Sequence, residues 1–580
     1  LEAGGVAMIG LVEAALLIVV AVAAAGVLIA RRTGWEAEEV LAAAPGVALL
    51  ATGGIRFAFY VLELAPIADV VIWGAFALGV VFGGRHLLDA TRSAVVRRAL
   101  GSWALLAVWV IALGCLVRNY GAGNWNTDWI EHYLRARFFL GGQPYDQRFI
   151  GAVVTTRPPL VNLAAAEVMA FAGRTFPVYQ MTMLLTALMG FFPLLLLARE
   201  FAPRARRLPE TLAAWLMFSP MFVENATYTW TRQVAAWLVI AATAFYLRGR
   251  RLGDARRITF AFLLAAAAVL AHYSAATYAW FLGIHYLIAT WPDRPRAWRE
   301  LAAIAGVVAL VLGPWIAWAA AIYGPGALLT TTASYRDAQG YAGPSHLSKV
   351  ALNIRDTIVP NFVRGETTDA RGTQTNWGGL RERAFMAYQS NLFFALGAAG
   401  AALLALERLR RRRSGSIGDA PPGAAPIGDA IFWIGFVAAG FAGIAGNGAR
   451  EPLGLAHLSL QPVVLLAIAW LASRCAGWPG WMRAIALAGL TLDLLLGIAL
   501  HFWLQSYPLD LGHDWRGPLG LELNDLMIGT TLDNWGLKVQ HNLEFAGDLM
   551  AGWGPALALL LLALAAAGFV LLYRSAREPV

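Results

Sequence analysis

Apolar runs recur along the whole chain, several of them long enough to cross a bilayer, separated by short basic turns and three long polar segments. The runs fall at 6–30, 41–64, 67–82, 100–117, 177–198, 211–222, 234–247, 258–271, 275–290, 301–322, 391–406, 431–445, 455–471, 484–503 and 556–573. A further run, 160–171, is short for a crossing and predicts a re-entrant or interfacial helix. A spanning barrel would instead show strands of alternating polarity. The pattern therefore predicts an all-α fold, a polytopic transmembrane bundle of about fifteen crossings. No internal repeat is evident, so the pseudo-symmetric halves of many transporters are not expected.

Arginines order these spans. Arg31-Arg32 follow the first, and a basic loop with Arg85, Arg92, Arg97 and Arg98 follows the third. Further clusters are Arg199, Arg204, Arg206 and Arg207; Arg248, Arg250, Arg251, Arg256 and Arg257; Arg294, Arg296 and Arg299; and Arg408 with Arg410 to Arg413. With the N-terminus outside, every cluster falls on the cytoplasmic face and the large polar loops, 118–176, 323–390 and 508–550, share the other. This agreement requires 160–171 to stay on the loops' side. The expected protein is multi-pass in an inner or plasma membrane, N-out and C-in. It reads as three extra helices (1–99), a core (100–471) and C-terminal helices (472–580), with a Gly/Pro/Ala-rich linker at 415–428.

Composition agrees: 59% of the 580 residues are hydrophobic and 14% charged. The net charge of +9 is almost wholly arginine, lysine occurring only at Lys349 and Lys538. In a soluble protein that balance would suggest nucleic acid; at helix ends it marks topology and membrane lipid headgroups, so no nucleic-acid partner is expected. Cys115 and Cys475 are predicted at different depths, which excludes a disulfide between them. No phosphate-cradling Gly loop, HExxH or CxxC occurs, which argues against nucleotide-sugar use through a soluble-type domain and against zinc chemistry.

Chemistry concentrates in the first polar loop, whose segment 124–160 reads NWNTDWIEHYLRARFFLGGQPYDQRFIGAVVTTRPPL. As a helix from Asp128, residues Asp128, Glu131, His132 and Arg135 line one face. Trp129, Tyr133 and Phe138 suit an interface with lipid or protein. A carboxylate at a membrane surface can act as a general base, and Arg157, fixed before Pro158-Pro159, is placed to hold an anion. The bland alternatives are a helix N-cap for Asp128 and headgroup contacts for the arginines.

An outer-loop acid followed about thirty residues later by Arg157-Pro158-Pro159-Leu160 resembles the GT-C superfamily of membrane glycosyltransferases. That superfamily includes the protein O-mannosyltransferases and the lipid A aminoarabinose transferases. Its loops typically begin Asp-Glu, carry a tyrosine shortly after, and reach Lys-Pro-Pro-Leu. Here Asp128-Trp129 stands at the start, Tyr133 comes one place later than expected, and Glu131 is the nearest glutamate. The resemblance implies an inverting transferase that takes a sugar from a polyprenyl-phosphate donor and adds it to an envelope glycan, lipid or protein acceptor on the extracytoplasmic face. Asp128 is then the base, Glu131 takes the place of the family's glutamate, which is missing at Trp129, and Arg157, Arg450 and Arg232 hold the donor phosphate. His132, Tyr133, His272, Tyr273, His457 and Glu224 are expected to line the substrate. No cofactor is required, although Asp128 and Glu131 are hard ligands that suit a divalent cation. A lipid-linked glycan polymerase or ligase, and a flippase of lipid-linked sugars, are the alternatives. His272 also fits simple helix packing, and Arg232 and Arg450 fit pairing with Glu224 and Glu451. The loop helix in SHLSKVALNIRDTIVPNFV, the Gly/Thr-rich turn 365–379 and the acids Glu544 and Asp548 are expected over the cavity.

Overall fold

The computed structural model describes residues 2–64, 67–114, 128–149, 152–203, 205–332, 345–359 and 430–498 except 452, 453, 476 and 477, with short pieces at 403–410, 515–516, 522–523 and 556–571. Cys115, the turn 365–379, the linker 415–428, Glu544 and Asp548 lie outside the described residues, as do the side chains of Asp128 and His457.

The described chain is a helical bundle, its one ladder being a two-residue pairing of Trp515 with Leu523 and Arg516 with Glu522. Six helices are long and apolar enough to cross a membrane: Ile9–Thr33, Ala37–Val61, Asp69–Arg92, Ala94–Gly114, Phe176–Phe201 and Ala297–Tyr323. The first four correspond to helices α1 (Glu2–Thr33), α2 (Ala37–Val61), α3 (Ile67–Arg92) and α4 (Ala94–Gly114). The loop helix α5 (Asp128–Phe138), the short α6 (Leu160–Ala172), and the pair α7 (Phe176–Leu188) and α8 (Phe191–Phe201) follow. Then come α9 (Leu208–Met217), α10 (Pro220–Thr227), α11 (Arg232–Leu252), α12 (Ala255–Ala271), α13 (Ala276–Thr290) and α14 (Arg294–Tyr323). The remaining helices used below are α15 (His346–Ile358), α16 (Ala430–Ala445) and α17 (Gln461–Arg474). Helix α11 forms the axis: it is apolar on all sides between its charged ends and buried from Arg232 to Gly249.

Three expectations are corrected. The basic loop after the third span is helix: α3 runs through Arg85 to Arg92, and Arg97 and Arg98 lie in α4, with Ser93 as the break. Arginine, leucine and alanine are good helix formers, so the helix outlasts the apolar run. The 211–222 run is two helices, because Pro220 starts α10 and Ser219 caps it by accepting from the Phe222 N–H at 3.4 Å. The 177–198 run breaks at Met189-Gly190, because Pro193 has no N–H to return to the Met189 carbonyl; Gly190 leaves room there for Trp237 of α11.

Charge sorts to the two ends of the same helices. At one end Arg248 pairs with Glu36 (2.5 Å), Glu39 (3.0 Å) and Glu200 (3.1 Å), Arg199 with Glu38 (3.1 Å), and Arg257 with Glu39 (2.6 Å) and Asp254. Arg98 reaches Glu210 (3.8 Å) and the Arg206 carbonyl (3.0 Å) there as well. The other end of α11 is Arg232, roughly 24 Å from Arg248 at 1.5 Å per residue. The other end of α12 is His272, and Phe176, at the head of α7, packs its ring against Tyr133 of α5 at 5.4 Å. Helix α6 has 13 residues, roughly 20 Å, and stays toward this second end. Its start meets Gly53 of α2 and its last carbonyl meets Gly10 of α1, far from Glu38 and Glu39 of α2 and from Arg31 and Arg32 of α1.

Candidate functional site

Helix α5 turns one polar face inward. Glu131, His132 and Arg135 are separated by one and three residues and are all buried. Arg135 is wholly enclosed and joins the helix to the returning chain. Its Nε and Nη2 donate to Glu131 Oε1 at 3.0 and 2.6 Å. Its Nη1 donates to the Val153 and Val154 carbonyls at 3.2 and 2.6 Å, and the guanidinium lies over the Phe149 ring.

The return is built to deliver Arg157. Phe149 and Ala152 form an antiparallel bridge, and a 3-10 turn over Val154–Thr156 follows. Arg157 is extended (φ −121°, ψ 147°), the conformation imposed on a residue before proline. Its Nη2 lies 3.5 Å from Glu131 Oε2, so one carboxylate is shared between two guanidiniums. Arg157 keeps partial access to solvent, with 21% of its side chain exposed, whereas Arg135 has none.

Two further segments close on this pair. Arg232, the first residue of α11, is buried with its guanidinium 3.7 Å from the centre of the Trp230 ring. His272 ends α12 in extended backbone, and its Nδ1 accepts from the Ser274 N–H at 3.2 Å. That bond leaves the proton of the neutral ring on Nε2. The Tyr273 hydroxyl donates to the Thr155 carbonyl at 3.2 Å, and Thr155 and Thr331 hydroxyls meet at 2.8 Å.

The electrostatics follow from burial among guanidiniums. Burial alone would raise the Glu131 carboxyl, but Arg157 and Arg135 outweigh it and lower it to about 2. His132 is lowered to about 3, first by burial; Glu131 opposes the shift, and Arg157, Arg135 and Arg232 add to it. His272 is driven well below its usual value by burial and then by Arg232, Arg157 and His132. The site is a carboxylate, two neutral imidazoles and three guanidiniums, an arrangement that suits an anion such as a phosphate.

The expected residues separate into groups. Glu131, His132, Arg157, Arg232, His272 and Tyr273 come together, as described. Asp128 opens the same helix three residues before Glu131. Tyr133 points to the other side of α5, where its ring packs on Phe176 and Tyr179 and its hydroxyl donates to the Arg174 carbonyl at 2.9 Å. Glu224 is buried in α10, its carbonyl accepting from the Tyr228 N–H that ends the helix. Arg450 stands in a neighbouring network, 3.5 Å from Asp356 of α15. There Asn353 donates to the Ala449 carbonyl (2.9 Å) and accepts from the Glu451 N–H (2.8 Å), while Thr357 accepts from the Leu455 N–H (2.8 Å). The backbone of His457 lies in the π-helical turn Ala456–Leu460, which touches the site through Ser274 Oγ and the Leu458 carbonyl at 3.1 Å. Among the described residues no group of three or more His, Cys, Asp or Glu is placed to hold a metal ion.

Sequence reasoning missed two features. Arg135 was placed on the polar face without a role, although Glu131 and Arg135 at i,i+4 are a standard ion-pair spacing. The Thr155 carbonyl that receives Tyr273 carries no local signal at all. Comparison with known proteins returns no match, neither a family model nor a curated protein nor a solved structure.

Proposed function

We propose that this chain is a membrane glycosyltransferase of the GT-C type, which moves a sugar from a polyprenyl-phosphate carrier to an extracytoplasmic acceptor. The observation that supports it is the meeting of Glu131, Arg157, Arg232, His132 and His272 at the end of the bundle remote from the Arg248–Glu39 network. In this reading the arginine-rich end faces the cytoplasm and the site faces outward.

Arg157 and Arg232 hold the donor phosphate, and Arg450 approaches it from the loop braced by α15. Asp128 removes the proton from the acceptor hydroxyl as that oxygen attacks the anomeric carbon. The bond from that carbon to the phosphate oxygen breaks, and its electron pair leaves with the carrier phosphate. One displacement inverts the anomeric centre. Glu131, already shared by two guanidiniums, is a poor proton acceptor; it orients Arg157 instead.

The test is turnover of lipid-linked sugar by the purified chain and by Asp128→Asn. Loss of a general base lowers turnover by about 10²–10⁴-fold. Unchanged turnover in Asp128→Asn rejects the assigned base, and absence of transfer from monophosphate carriers bearing any tested sugar rejects the reading.

A further inference from the structure

Arg56 lies in the apolar helix α2 and is buried. A guanidinium among apolar helices is costly unless its donors are engaged. Its Nη1 pairs with Asp69 of α3 at 3.2 Å, and its Nε donates to the Phe139 carbonyl at 2.8 Å. Phe139 follows the last residue of α5, so this carbonyl is one of those that helix geometry leaves open. A cation placed there also opposes the negative end of the helix.

Aromatic packing supports the same joint. The Tyr60 ring stands 5.4 Å from both Phe138 and Phe139, and Phe139 is 6.4 Å from Trp315 of α14. One turn back from Phe139, Arg135 holds Glu131 and the Val153 and Val154 carbonyls. The end of α5 is therefore fixed from α2 on one side and from the return chain on the other. Glu131 and Arg157 take their places from that end.

We propose that Arg56, oriented by Asp69, is a positioning residue for α5. Through it the three N-terminal helices set where Arg157 and Glu131 stand. The effect on ligand rests on the phosphate-binding reading above; the effect on the helix does not.

The test uses the full chain in nanodiscs with Arg56→Gln, Arg56→Lys and Asp69→Asn, read by hydrogen exchange and by binding of farnesyl phosphate. Lysine keeps the charge but lacks the fork that serves two acceptors at once, so Arg56→Lys gives a smaller effect in a chain that folds. Amides of 135–142 are expected to exchange about tenfold faster in Arg56→Gln, with α17 unchanged. Farnesyl phosphate binds about tenfold more weakly, about 1.4 kcal/mol in binding free energy. Faster exchange confined to α5, in a wild-type chain that binds no farnesyl phosphate, supports the joint and removes the phosphate reading. Unchanged exchange at 135–142 in all three variants overturns the proposal, as does faster exchange spread evenly through the bundle.

Discussion

The sharpest physical consequence of the site concerns His132. Its side chain is buried, and its value of about 3 lies well below the ordinary 6.5. Between those values the unfolded chain binds a proton that the folded chain does not. Acid therefore favours unfolding, and the loss begins as pH falls through 6.5 and continues toward 3. From pH 7.5 to 5.0 one such histidine withdraws about 2 kcal/mol. His272, shifted in the same direction, adds to the loss. Glu131 does not interfere: its stabilising charge is present above 4.5 and is lost only as pH falls from there toward 2. The perturbation is His132→Gln, which keeps a neutral polar side chain and removes the titration. Unfolding in mixed micelles, followed by tryptophan fluorescence at pH 7.5, 6.5, 5.5 and 5.0, gives both curves. The wild type should lose about 2 kcal/mol more than the variant over that interval, while every other titration cancels. Parallel curves, or a wild type that gains stability relative to His132→Gln toward pH 5, would refute the picture of a neutral imidazole among guanidiniums.

Two further outcomes follow from the packing. A Cβ at Gly190 would stand 2.7 Å from the Cβ of Trp237, an atom tied to the α11 backbone that cannot swing aside. Gly190→Ala should cost about 2 kcal/mol by overpacking, measured as a lowered unfolding midpoint, although its φ of −58° suits any residue. Asn353→Ala removes both bonds that tie α15 to residues 449 and 451. Amides of 449–455 should then exchange faster by the factor that about 1–3 kcal/mol of lost bonding implies, and unaltered protection there would deny α15 its role as a brace.

Much of the helical pattern is legible in the chain because hydrophobic length and arginine position are local properties. Helix α6 is visible as a short segment for that reason: thirteen residues rise too little to cross. The Ser219-Pro220 break was also present as a cap followed by proline, but the apolar count over 211–222 hid it. The break at Gly190 was legible in Pro193, which cannot donate to the Met189 carbonyl, but the apolar count over 177–198 hid it; only the close packing of Trp237 on Gly190 depends on the fold. Arg56 had a readable signal, a lone arginine inside an apolar span, and only the fold reveals what it holds. For the site, residue types and the Arg-Pro-Pro-Leu segment were legible. The encounters of Arg157 with Glu131, and of Tyr273 with Thr155, depend on tertiary closure.

The arrangement of charge along α5 also separates two tasks that the sequence assigned together. A carboxylate that already accepts from Arg135 at 2.6 Å and faces Arg157 at 3.5 Å gains little by taking a proton, because protonation would leave two guanidiniums facing a neutral group. Its value of about 2 expresses the same balance. Such a group is suited to holding cations in place rather than to exchanging protons near neutral pH. The helix is anchored from Glu131 onward, by Arg135 on one side and Arg56 on the other, whereas Asp128 belongs to its first turn. In the proposed reading, proton transfer therefore falls to the end of α5 nearer the acceptor and phosphate binding to the anchored end. The two roles then tolerate different disturbances: a change at Arg56 moves the cations, and a change at Asp128 removes the base while the cations stay where they are.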